Sequence, residues 1–172
     1  MACSTTLSGI LRDCEVNAGG IKEILLATRD DVTAVTLDST GEKVSAITMA
    51  SSKKFKAFYF KTGQASMTQT PQFNEAGDYA GEEIVVSANF AKMDSTKRLQ
   101  MNAISVAELY GIVRDANDIY WLVGYDFPLL RNGGESATGA NKTDFNHFGW
   151  QAHAMDNQLA YEVPASVVAG IR

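Results

Sequence analysis

The chain has 172 residues, 45% hydrophobic and 20% charged, with a net charge of −5. That length sustains one domain with a real core, so residues 1–172 read as a single domain. Residues 1–86 and 87–172 carry −3 and −2; no basic stripe hides in an acidic average, and tight nucleic-acid binding is disfavoured.

In chain order, about residues 1–18 read as an N-terminal arm. It has no basic n-region and no long apolar h-region, so no secretory leader is expected. Cys3 and Cys14 therefore read as reduced thiols of a cytosolic product. No apolar run reaches the ~20 residues of a membrane span. Gly19-Gly20 precedes Ile21–Ala27 (IKEILLA), whose length and glycine boundary predict a strand. A second strand is predicted at 44–50 (VSAITMA), after the turn residues Ser39-Thr40-Gly41. A third is predicted at 55–61 (FKAFYFK). Its two faces, Phe55, Ala57 and Tyr59 against Lys56, Phe58 and Phe60, are both largely apolar, which predicts burial on two sides. Lys53, Lys54 and Lys56 form the longest basic cluster and read as a wet strand face.

Residues 62–82 are polar and hold three glycines and a proline. They predict a long connection or a protruding hairpin, and such segments are often functional. A strand at 83–90 (EIVVSANF) follows. Asp94-Ser95-Thr96 then starts a helix over about 95–106, with Leu99, Asn102, Ala103 and Val106 at helical spacing. Strands at 108–114 and 119–125 flank the turn Asp115–Asp118, a hairpin signal. Residues 127–143 predict a second long loop, and strands at about 146–155 and 158–163 close the pattern. About eight strands and one helix, without strand–helix alternation, predict an antiparallel β-barrel or sandwich with one flanking α-helix.

The chemical motifs fail one by one. His147 and His153, evenly spaced on one strand face, stand about 20 Å apart, too far to share a metal ion, and no CxxC or HExxH exists. The stretch GESATGANKT (134–143) places Ala140-Asn141 between its second glycine and its lysine, where a Walker loop needs lysine at once. Gly19-Gly20 feeds a strand, whereas a phosphate loop feeds a helix N-terminus; it reads as a turn or bulge. No GxSxG elbow accompanies Asp144 and His147. Asp115 and Asp118 suit a tight turn. No enzymatic activity, metal or cofactor is expected.

Several segments carry a resemblance: Cys14, Asn17 and Gly19-Gly20-Ile21 before a strand; the helix after Lys97-Arg98; GIVRDANDIYWLVG (111–124); and Gly139, Asp144 and Gly149 before a terminal strand pair. By layout over most of the chain, they resemble the tail tube or tail-neck ring proteins of phages of Bacteroidetes hosts, including crAss-like phages. Asp118 departs from the pattern, standing where such hairpins often have glycine, as does Phe127-Pro128. The resemblance implies a tail-tube-like barrel or sandwich assembled into hexameric or dodecameric homo-oligomeric rings. It implies stacking through long loops, other tail, neck or portal-proximal proteins as partners, and a channel that passes DNA or protein. It also implies location in the virion after synthesis in the host bacterial cytoplasm. The ring or stacking interface then falls on Gln64, Met67, Gln69, Phe73 and Tyr79 of the 62–82 segment and on Leu7, Ile10 and Leu11 of the arm. The arm is expected to cross to a neighbour. A head-decoration protein and a small-molecule-binding β-barrel are the alternatives.

Overall fold

The computed structural model describes residues 9, 10, 14 and 16–172. They form eleven strands and two α-helices. The first sheet contains β1 (Ile21–Thr28), β4 (Lys56–Tyr59), β7 (Leu109–Asp115), β8 (Tyr120–Val123) and β11 (Tyr161–Val163), in the order β11-β8-β7-β1-β4. The second contains β5 (Ala65–Phe73), β6 (Tyr79–Ala91), β9 (Leu130–Gly133) and β10 (His147–Asp156), in the order β5-β6-β10-β9. All pairings within both sheets are antiparallel. β2 (Val32–Leu37) and β3 (Val44–Met49) form a separate hairpin, and α1 (Ser95–Val106) and α2 (Ala165–Ile171) complete the chain.

The first sheet is the middle layer. One face of β1, Ile24 and Leu26, packs with Val113 and Val123 against Ile84, Val86, Trp150 and Ala152 of the second sheet. The other face, Leu25 and Ala27, joins Ile112 and Leu122 beneath Val44 and Ile47 of the β2–β3 hairpin and Val168 and Ile171 of α2. Near-continuous apolar runs such as ILLA in β1 follow from burial on both sides. The second sheet is apolar on one face only, so β6 and β10 alternate. Its outer face has no covering layer among the described residues.

The architecture is an open sandwich and not a barrel, because β4 and β11 end one sheet and β5 and β9 the other. The expected hairpin across 62–82 is β5–β6, and the helix lies at the predicted residues. Asp94 caps α1 by accepting from the Lys97 amide at 2.8 Å. Its buried face is Met101 and Ile104, whereas Leu99 and Val106, which the spacing placed inside, are exposed. β2, β9 and α2 add to the expected elements. Both faces of 55–61 pack, Phe55 and Ala57 on the outer core and Phe58 and Phe60 on the inner, and only Tyr59 departs from the expectation. β4 is an edge strand with Tyr59 exposed, while Phe58 and Phe60 turn inward onto Phe90 at ring distances of 5.5 and 5.2 Å.

Candidate assembly surface

The β5–β6 hairpin is built from its turn outward. The Asn74 amide donates to the Asp78 carbonyl, and the Gly77 amide to that of Asn74, both at 2.9 Å. Asn74 Oδ1 accepts from the Asp78 amide at 2.9 Å, and Gly77 takes the left-handed φ of 86° that closes the turn. A register shift between Gln72 and Phe73 sets Phe73 opposite Tyr79. Their rings meet edge to face at 6.2 Å, yet Phe73 is 62% and Tyr79 50% exposed. Glu75 and Asp78 make this exposed aromatic tip acidic.

The other interface residues expected in this segment separate by face. Ala65, Met67 and Gln69 point inward. Met67 packs on the core, and Gln69 Oε1 accepts from the Ala160 amide at 2.8 Å, so both serve their own subunit. Gln64 braces the turn before β5, accepting from the Lys61 amide at 3.2 Å. In the arm, Ile10 is 99% exposed, and Leu7 and Leu11 lie outside the described residues. Asn17 and Ala18 are tied to Asn117 of their own β7–β8 turn at 3.1 and 2.8 Å.

The outer face of the second sheet can be read from register. Thr68, Val85, His153 and Leu130 form one row across the strands, and Ser66, Ser87 and Gln151 the next. Glu83 lies 3.6 Å from the His153 ring and accepts from Gln72 at 3.3 Å. Apart from the Glu83–His153 pair, the strands present hydroxyl, amide and apolar groups on this face, with no lysine or arginine; Arg131 of β9 turns inward to donate to Ser105 of α1 at 2.6 Å. Pro71 lies in edge strand β5 and removes an amide donor there, which blunts strand addition.

A different surface lies between β1, β4 and α1. It is a small cleft of about 150 Å³ walled by Leu26, Phe58, Ile104 and Leu109, with Lys54, Lys56 and Asp31 as its charged lining. Its two lysines outnumber its one acid, whereas Glu75 and Asp78 leave the hairpin tip with acids alone.

The segments weighed for chemistry have ordinary partners. Asp144 Oδ2 accepts from the Ala140 and Asn141 amides at 2.8 and 2.7 Å. A carboxylate of the chain itself thus occupies two amide donors of the Walker-like stretch, and these bonds, that from Asn141 first, hold its pKa below 3.8. Gly20, at φ 107°, bends the chain into β1. Asp118 occupies the left-handed region, φ 68°, where glycine is the usual choice; Lys22 at 2.7 Å and Arg114 at 2.9 Å hold its carboxylate. Among the described residues, no helix is long and apolar enough to cross a membrane.

Three buried carboxylates, Glu23, Asp156 and Glu82, carry no motif in the sequence. Asp156 is buried at the end of β10 and accepts from four successive amides, Gly124 to Phe127, at 2.9 to 3.3 Å. Glu82 is buried at the mouth of the sandwich beside Tyr79. Its only visible signal was an acid at an inward position of an alternating strand. Comparison of the chain with protein-family models, curated proteins and solved structures gives no match.

Proposed function

We propose that this chain is a structural, non-enzymatic virion protein. In this reading its copies form a hexameric or dodecameric ring, or a tube segment, of a phage tail or neck around a channel that passes DNA or protein. The reading rests on the sequence resemblance. The observation that carries it further is the pair of opposed surfaces on one subunit: an acidic aromatic hairpin tip and an apolar cleft rimmed by lysines. A head-to-tail ring needs two different, complementary surfaces on each subunit. The uncovered face of the second sheet supports a channel wall, since a face without lysine or arginine, whose one central histidine stands beside Glu83, gives phosphates little to grip.

The test is assembly. Purified protein concentrated to about 1 mM, where even millimolar self-affinity populates oligomers, is expected to show rings or tubes by negative stain and a matching mass by sedimentation. Phe73→Ser, which removes the more exposed ring of the tip, should abolish them while leaving the circular dichroism unchanged. A protein that stays monomeric and gives neither rings nor tubes, and whose particle map places it outside the tail and neck, overturns the reading.

A further inference from the structure

Glu82 points inward at the start of the long β6 strand, where the two sheets part. It is only 6% exposed. Oε1 accepts from the Tyr79 hydroxyl at 3.0 Å, whereas Oε2 is buried with no hydrogen-bond partner among the described residues. A buried carboxylate oxygen left unpaired is costly, and the cost is relieved by a positive partner.

The surroundings offer room for one. Glu82 lines a surface cleft of about 550 Å³ with Gly41, Glu42, Tyr79, Leu159 and Tyr161. None of the lining residues is basic, and Glu42 adds a second carboxylate. Lys43, adjacent in sequence, is engaged with Glu162 at 2.8 Å. The two tyrosines give the cleft aromatic walls. Tyr161 is braced by Tyr125 at a ring distance of 5.1 Å. Leu159 is exposed at the lip, an apolar surface for an alkyl stem. Burial, followed by the bond to Glu82, raises the Tyr79 phenol above its ordinary value of 10.0, so it remains a donor at neutral pH. A bare divalent ion is poorly served: hard cations want several oxygen ligands, and no three His, Cys, Asp or Glu side chains cluster for a metal among the described residues.

We infer that this cleft binds an organic cation, an ammonium or guanidinium group, with Glu82 as its counter-ion and Tyr79 and Tyr161 as its walls. A carboxylate at the base, aromatic faces at the sides and an apolar lip match such a group and its stem. The cation is either a free amine or the lysine or arginine side chain of a second copy. The inference does not depend on the ring reading.

Both sources are tested with the full chain. Agmatine and spermidine are titrated calorimetrically, with butanol as the uncharged control, into wild type and Glu82→Gln. Self-association of both proteins is followed by sedimentation at low and high salt. If a free amine is the ligand, agmatine or spermidine binds, butanol does not, and Glu82→Gln weakens binding at least about tenfold. If a second copy supplies the cation, self-association is salt-sensitive and weakens about tenfold or more in Glu82→Gln. Should Glu82→Gln fail to fold, Tyr79→Phe replaces it, because removing the hydroxyl frees Oε1 and should alter amine affinity or association measurably. The inference is overturned if neither amine binds at about 10 mM and association is unaffected by the substitution.

Discussion

Asp156→Ala tests whether one side chain organises the end of the sandwich. The carboxylate accepts from the amides of Gly124 at 2.9 Å, Tyr125 at 3.2 Å, Asp126 at 2.9 Å and Phe127 at 3.3 Å. Asp126 returns a bond, its Oδ2 accepting from the Asn157 amide at 2.8 Å. The β8–β9 connection and the β10–β11 connection therefore cap each other. A hydrogen bond to a charged group contributes about 1.5–3 kcal/mol, and orphaning a buried donor costs about 1–3 kcal/mol. Only the Gly124 bond is fully buried, and the four share one acceptor, so they do not add fully. The expected loss is about 4 kcal/mol for Asp156→Ala, a large part of the ~5–15 kcal/mol available to a domain. Asp156→Asn keeps one carbonyl oxygen but turns an amide toward the donors, and should lose about half as much. With an m-value of about 2 kcal/mol/M, urea unfolding should shift its midpoint down by about 2 M for the alanine variant. Amide exchange at residues 124–127 should accelerate well before the strands are affected. A loss below about 1 kcal/mol, or unchanged protection at those four amides, would refute the account.

Three further outcomes follow from the same geometry. Glu23 is fully buried and bonded to Arg172 at 2.5 Å, with Arg114 at 4.0 Å; Arg172→Ala should lower the melting temperature sharply by leaving the buried Glu23 carboxylate without its partner, whereas Glu23→Leu with Arg172→Met should recover much of it, because an apolar pair needs no desolvation. At Gly149 a Cβ would collide with the Glu135 backbone, while at Gly170 in α2 it would meet open space; Gly149→Ala should cost more than about 2 kcal/mol and Gly170→Ala should be neutral or gain up to about 1 kcal/mol, read by chemical denaturation. Lys22 first, and Arg114 with it, hold Asp118 below its ordinary 3.8. A lowered folded value means its contribution is present above 3.8 and is lost as pH falls through the folded value; thermal stability should thus hold on acidification to 3.8 and drop below it, and Asp118→Asn should make that acid limb shallower.

How much the sequence disclosed depended on whether the signal was local. The α1 boundaries were legible because Asp94 caps the helix with its own side chain, a three-residue event. Its buried face was not, because spacing alone fits more than one stripe, and only the packing of Met101 and Ile104 against the sheets selects one. The β7–β8 hairpin was legible from Asp115–Asp118, whereas the positive φ of Asp118 and the charges that Lys22 of β1 and Arg114 of β7 bring to its carboxylate are announced by no local pattern. The segment 55–61 disclosed its two packed faces but not the exposure of Tyr59, because an apolar alternation reports burial without saying which layer supplies it or where that layer ends. Phe55 belongs to the outer core, Phe58 and Phe60 to the inner side, and Tyr59 to solvent. α2 is short and stands on tertiary contacts of Val168 and Ile171, so its propensity signal was weak.

The same distinction governs the surfaces. Alternation in 62–73 separates Met67 and Gln69 from Ser66 and Thr68, so a parity count once the hairpin is recognised already assigns the first pair to the core. Phe73 escapes that parity because the register slips beside it, and the slip turns an aromatic residue outward at the tip. Asp156 and Glu82 show the limit of reading by strand. They are register partners on β10 and β6, and both occupy inward positions where alternation calls for apolar side chains. Asp156 is explained by the four amides brought to it from the β8–β9 connection. Glu82 has one bond and one bare oxygen. Two acids in equivalent strand positions, one fully paired and one not, locate where the subunit is complete in itself and where it awaits a cation from outside.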